Sequence, residues 1–474
     1  MGQEIETATF SPTAVAEFES RLAHETRLVR EWLDAAPDEV GEASLGCEIE
    51  AWLIDEEMNP SPVNRDFLLG MDRSTAGAEL AKFNVEFNTD PLPLASDVFS
   101  TLDAQLQSLL GGARSAARRI GAEVLLTGIL ATLRDDQLTM ANLSESNRYW
   151  ALNEQVLIAR RGRPVRLMIE GNESLVSEHR DVMLEAATTS FQLHWRISPT
   201  LIARYFNAML VAAAPVLAVG ANSPYLFGRD VWAETRIPLF EQAVPIGGYG
   251  GAASGPMHRV GFGSGWVRQS IAELFEENLE HFPVLLPTLF EFEPEQFAHL
   301  RLHNGTIWRW NRAVIGFSPA GDPHVRLEHR VLPAGPTVAD MVANAAFLFG
   351  LVESWVANGT SGPTSFAEAK DNFYHAARHG LSARMLWNGR RIPVSVLIDR
   401  ELLPRARDGL ERLQIASSDA DFYLSIIEHR LKNGQTGSAW QRAFIARHPG
   451  DFAALTKSYL ECQQGGAPVH TWPL

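Results

Sequence analysis

Glu48 and Glu50 stand two residues apart in Leu45-Gly46-Cys47-Glu48-Ile49-Glu50-Ala51-Trp52-Leu53. In an extended chain successive side chains point to opposite faces, so both carboxylates share one face and the apolar residues take the other. Three further segments divide in the same way. Phe83-Asn84-Val85-Glu86-Phe87-Asn88 sets Asn84, Glu86 and Asn88 against an apolar side; Ser190-Phe191-Gln192-Leu193-His194-Trp195 does so with Ser190, Gln192 and His194; Val325-Arg326-Leu327-Glu328-His329-Arg330-Val331 with Arg326, Glu328 and Arg330. An antiparallel sheet wetted on one side also alternates, but its outer face normally carries Lys, Ser, Thr and mixed charge. These polar faces hold no lysine. Like carboxylates on one face repel unless a cation lies between them. Glu48, Glu50, Glu86 and Glu328 are hard oxygen donors suited to Mg²⁺ or Mn²⁺, with His194 as a nitrogen donor and Gln192 beside them. Arginines on the same faces suit a transferring phosphate or a substrate carboxylate. The combination describes metal-assisted phosphoryl chemistry.

Elements able to position these groups are legible around them. Alternation predicts strands near 44–54, 82–88, 187–197 and 324–332, and the apolar run 124–130 predicts a buried strand. Helical spacing marks 11–36, 98–119, 200–218, 337–357 and 365–379, the first opened by Ser11-Pro12, an N-cap followed by proline. The longest apolar run, 208–221, is too short to span a bilayer and contains Pro215, so it reads as a buried helix together with its end. The glycine-rich stretch 247–265 reads as a mobile flap or a plain surface loop, and it lacks the Gly-Lys-Ser/Thr of a phosphate loop.

Composition bounds the partners. The chain has 474 residues, 46% hydrophobic and 21% charged, as soluble globular proteins do. A net charge of −16 argues against a sequence-independent hold on nucleic acid or on an anionic membrane. Two cysteines, Cys47 and Cys462, make neither a disulfide framework nor a zinc cluster. No basic region or apolar core opens the chain, so the expected setting is cytoplasmic. A glycosidase pair would flank a sugar rather than share a strand face with further acids and arginines. A serine hydrolase is not supported, since no Gly-x-Ser-x-Gly elbow joins a strand to a helix.

In order, the segments resemble the glutamate–cysteine ligase family, in its bacterial carboxylate–amine ligase branch. Gly46-Cys47-Glu48-Ile49-Glu50 resembles the opening Gly-x-Glu-x-Glu strand, and Gln192-Leu193-His194 the strand with a Gln or His before a second His. Asn222-Ser223-Pro224 is similar to an Asn-Ser-Pro turn, with Arg236 after it. His303-Asn304-Gly305-Thr306-Ile307-Trp308-Arg309 resembles His-x-Gly-Thr-x-Trp, Glu328-His329-Arg330 resembles Glu-x-Arg, and Gly434 to Gln441 is similar to the Gly-x-Thr-Gly-x-x-Trp-Gln ending. Asn147-Arg148-Tyr149 resembles the family's Arg-Tyr. Where members have Gly-Thr-His-Pro, this chain has Ile129-Leu130-Ala131-Thr132 after Gly128, without the histidine.

The resemblance implies an α+β fold: a curved, mostly antiparallel sheet, helices on its outer face, in one catalytic domain over 1–474, like glutamine synthetase. It implies that ATP converts a carboxylate to an acyl phosphate, which an amine then attacks to form an amide. Glu48, Glu50, Glu86, His194 and Glu328 resemble the metal ligands for Mg²⁺ or Mn²⁺, and Glu328 and Arg330 the catalytic pair, with Arg330 toward the γ-phosphate. His303, Trp308 and Arg309 would border the nucleotide. Arg236, Gln192, Asn222 and Arg148 would bind substrate. The partners implied are an amino-acid carboxylate and an amine, without nucleic acid or membrane, and a homo-oligomer is compatible. Glutamate and cysteine lead as substrates. The alternatives are a relative that binds ligand without turnover and a ligase acting on a peptide or protein carboxylate.

Overall fold

A computed structural model describes residues 4–5, 9–36, 43–246 and 257–474. Its centre is an eight-stranded sheet: β1 (Ser44–Ile54), β2 (Ala76–Ala78), β3 (Asn84–Asn88), β4 (Leu92–Pro93), β5 (Glu123–Leu125), β6 (Ser190–Arg196), β7 (Asn311–Phe317) and β8 (Pro323–Pro333). The spatial order is β7-β8-β6-β1-β3-β2, with β4 and β5 pairing the two ends of β1, and every pairing is antiparallel. Along β1, from Leu45 to Ala51, the odd-numbered residues are buried and the even ones less so, as the alternation requires.

Helices surround the sheet. The principal ones are α1 (Pro12–Asp34), α2 (Val98–Arg118), α3 (Asn147–Ala159), α4 (Ile202–Gly220), α5 (Val338–Ala357), α6 (Phe366–His379), α7 (Leu403–Arg412) and α8 (Ser417–Asn433). Several starts follow local chemistry. Ser11 Oγ accepts from the Ala14 N–H at 3.1 Å, and Thr337/Asp340 and Ser365/Glu368 form reciprocal capping boxes on α5 and α6. Trp195 of β6 meets Phe349 of α5, ring centroids 4.4 Å apart, which seats the sheet on that helix. By length and composition α4 and α5 could cross a membrane. Yet 83% and 94% of their most apolar windows are buried inside the protein, so the core uses that apolarity.

Two local expectations change. Pro215 does not end its helix; α4 continues to Gly220. An interior proline costs about 3 kcal/mol, and α4, buried at every position from Ala208 to Gly220, offsets that through packing. The run 124–130 is strand only to Leu125. Beyond it, side chains replace the ladder: the Leu126 N–H donates to Gln463 Oε1 at 3.0 Å, and Trp52 Nε1 donates to the Thr127 carbonyl at 3.2 Å.

Candidate active site

Register gathers the polar faces. Glu50 lies opposite Glu86, Glu48 opposite both Asn88 and Gln192, His194 opposite Glu328, and Glu328 opposite Arg312. The resulting face floors a cavity of about 1110 Å³ whose acidic lining is Glu48, Glu50, Glu79, Glu86, Glu185 and Glu328. Arg148, Arg196, Arg236, Arg312, Arg326 and Arg330 also line it. The acids cluster toward β1–β3 and most of the arginines toward β6–β8.

On the acidic side, the Gln192 amide donates to Glu48 Oε1 at 2.7 Å and to Glu50 Oε1 at 2.8 Å, tying the two carboxylates together. The Ser190 N–H donates to Glu50 Oε2 at 2.7 Å. Burial, then the charge of Glu86, pushes Glu48 up to about 8. Burial raises Glu50 as well, with Arg330 opposing. Glu79 rises well above the carboxylate range through burial and then through Glu86 and Glu50. This carboxylate was not anticipated from the sequence. The turn between β2 and β3 returns it beside Glu86, and a hairpin reading of 76–88 would have revealed it. Among the described residues no three acids or histidines already close on one point as a metal cage. The donor set nevertheless fits a divalent cation. Hard oxygens crowd one buried face, and their proton affinities are raised first by burial and then by their mutual charge, both of which a cation would offset.

The basic side is wired differently. Glu328 receives two bonds from Arg312, Nε at 2.8 Å and Nη2 at 3.0 Å, with Arg330 Nε at 3.5 Å. Burial would raise Glu328, but Arg312 and Arg330 hold it well below the usual range. Burial and Arg326 push His194 down to about 3, so its ring is neutral. Arg326 Nε donates to His194 Nδ1 at 3.2 Å, which places the ring proton on Nε2. Of the five expected ligands, then, Glu48, Glu50 and Glu86 stand among the acids, while Glu328 and His194 engage arginines. Arg330 lies over Phe240, 5.6 Å from the ring centroid, and its Nη1 is buried without a partner among the described residues.

The remaining expectations separate. Arg148 and Trp308 line the cavity. Arg236 does too, but its guanidinium donates to the backbone carbonyls of Arg330 (3.3 Å) and Val331 and to Glu234 (3.3 Å), bracing β8 where its register with β6 slips between His329 and Leu332. His303, Arg309 and Asn222 lie outside the lining. His303 Nε2 donates to the Asn278 carbonyl at 3.1 Å, and burial lowers the ring to about 4. Arg309 is spent on Glu277 and Asn278. Asn222 is a buried joint: its amide donates to the Ala334 carbonyl and the Tyr459 hydroxyl, and its Oδ1 accepts from Gln441. His329 packs in the core against Asn311, 2.6 Å away, as its apolar-side position required. None of Ile129, Leu130, Ala131 and Thr132 lines the cavity; the first two are fully buried. Most of the expected flap, 247–256, lies outside the described residues; after it, Val260–Gly261 pairs with Trp308–Arg309.

A curled antiparallel sheet with a charged inner face and helices behind it defines the glutamine synthetase-like ligase class. The model of glutamate-cysteine ligase family 2 matches residues 1–458, and the chain belongs to that family of carboxylate–amine ligases. Among solved structures it is similar to glutamate–cysteine ligase from Francisella tularensis in complex with AMP. The TM-score is 0.56 at 12% identity over 90% of each chain. It is also similar to a bifunctional glutathione synthetase from Pasteurella multocida, with a TM-score of 0.51 at 10% identity, over 95% of this chain and 55% of that one. No curated protein matches its sequence.

Proposed function

We propose that the protein uses ATP and a divalent cation, Mg²⁺ or Mn²⁺, to activate a substrate carboxylate as an acyl phosphate and to join it to an amine, with glutamate and cysteine as the leading pair. One observation carries this reading. In a single cavity, acids crowded enough to raise one another's proton affinity face Arg330, whose buried Nη1 has no partner among the described residues. Glu48, Glu50, Glu79 and Glu86 would hold the cation, which when bound supplies charge neutralisation for those acids and for the nucleotide's phosphates. Arg330 donates to the phosphoryl group as its charge develops. Arg312 and Arg326 anchor Glu328 and His194 beside it. Arg236 contributes by fixing the backbone that carries Arg330. Glutamate and cysteine lead on family membership and on the AMP-bound ligase of the same fold. The altered segment 129–132 does not weigh against them, because none of its residues lines the cavity.

The test is ADP release by purified protein given ATP, Mg²⁺ and glutamate, comparing cysteine with a panel of amino acids and amines, each adduct identified by mass. Release that depends on the amine and yields an amide supports the reading. ADP release with no amide shifts the assignment to another carboxylate, peptide-borne ones included. Absence of nucleotide binding by calorimetry would sink the ligase assignment.

A further inference from the structure

The turn Met183–Ala187, which leads into β6, is apolar apart from one residue. Met183, Leu184, Ala186 and Ala187 are buried, while Glu185 lines the cavity. The turn is held at its start by the Val182 N–H, which donates to Asn153 Oδ1 of α3 at 3.1 Å. Glu185 differs from the other acids of the cavity in its partners. Glu48 and Glu50 share the Gln192 amide, Glu79 and Glu86 bond each other, and Glu328 is clasped by Arg312. Glu185 Oε2 is buried with no partner among the described residues. A buried carboxylate oxygen without a donor is unfavourable unless a ligand brings one. Arg330 and Arg148 favour its ionised form and Glu50 opposes it, and the guanidinium assigned to phosphoryl transfer lines the same cavity.

We propose that Glu185 receives the ammonium group of the amine substrate and takes the proton that frees its lone pair. The inference rests on the ligase reading above. An amino acid's amine is an ammonium ion at neutral pH and cannot attack. It gives one proton to Glu185 Oε2; the freed lone pair forms the C–N bond to the acyl carbon, and the C–O bond to phosphate breaks. The departing phosphate carries away the second proton of the attacking nitrogen, leaving the amide. Burial pushes the Glu185 carboxyl up to about 7, against Arg330, which suits a group that must bind this proton and release it each turnover.

The test uses a nucleophile that needs no proton acceptor. Hydroxylamine is already unprotonated at neutral pH and traps acyl phosphates as hydroxamates. Full-length Glu185→Gln should form amide from the preferred amine about 100-fold or more below wild type at pH 7, and hydroxylamine should restore turnover close to the wild-type hydroxamate rate. Calorimetry of Mg·ATP binding reports whether the variant is folded; if it is not, Glu185→Asp, which withdraws the carboxylate by one methylene, reads the same split. Equal loss with both nucleophiles overturns the inference in favour of a role in fold or phosphoryl transfer. An undiminished amide rate overturns it outright. Wild type that makes neither amide nor hydroxamate brings down the ligase reading, and this inference with it.

Discussion

Gln192 shows how a single residue changes meaning once its partners are known. It lies on the strand face expected to touch substrate, yet its amide spends both N–H groups on Glu48 and Glu50. Without that bridge two carboxylates on one buried face would be held apart only by their charge. Groups that orient metal ligands are typically worth 10- to 100-fold in metal affinity. Gln192→Ala is therefore expected to raise the Mg²⁺ concentration needed for half-maximal ADP release by about 10-fold or more, with the apparent affinity for the carboxylate substrate far less affected. A titration of rate against Mg²⁺ checks this; an unchanged midpoint would return Gln192 to direct substrate contact. Arg236 changes meaning as well. With three of its bonds going to Glu234 and to backbone carbonyls of β8, it braces the strand that carries Arg330.

At the scale of elements, the inner face depends on how firmly the helices behind it are seated. α5 backs the sheet through Phe349, and at its next residue, Gly350, α7 approaches the backbone closely. A Cβ on Gly350 would collide with the Ala406 carbonyl oxygen, and one on Gly409 with the Gly350 carbonyl oxygen. The helices touch backbone to backbone, which only glycine permits at these two positions. Forcing bulk into such a contact costs about 1–3 kcal/mol, so Gly350→Ala should lower the denaturant midpoint without altering the slope of the transition. A midpoint equal to wild type would mean that α7 can withdraw without disturbing α5.

For the whole molecule the crowded acids set a pH dependence. Unfolded, each glutamate titrates near 4.5; folded, Glu48 titrates near 8 and Glu185 near 7. Between these values the folded state binds more protons, so their contribution to stability is full below about 4.5 and is lost as pH rises toward 8. Glu328 has the opposite sign. Its depressed folded value contributes stability above 4.5 that disappears as pH falls below it. Metal-free protein should thus melt at a lower temperature at pH 8 than at pH 6, and Mg²⁺ should raise the melting temperature more at pH 8, where the acids are ready to bind it. Thermal scans with chelator and with Mg²⁺ at both values check this; equal shifts at the two values would remove the acids as the cation site.

The division between sequence and tertiary structure follows from the range of each signal. Side chains two apart on a strand share a face wherever that strand is placed, so the polar sets of β1, β3, β6 and β8 could be read directly, and with them Glu48, Glu50, Glu86, His194, Glu328 and Arg330. The start of the first helix was legible for the same local reason, through Ser11-Pro12, whereas the capping boxes at Thr337 and Ser365 emerged with the structure. Motif order pointed to the family, but it also drew in Asn222, His303 and Arg309, which serve buried joints away from the cavity, because a motif records recurrence and not what each side chain faces. Register, and with it the pairing of Gln192 with Glu48 and of Arg312 with Glu328, joins residues far apart in the chain and is decided by how the apolar faces pack and where β8 slips against β6. Glu79 and Glu185 were missed for another reason. One is returned by a hairpin and the other is carried on an apolar turn, and no local periodicity marks either.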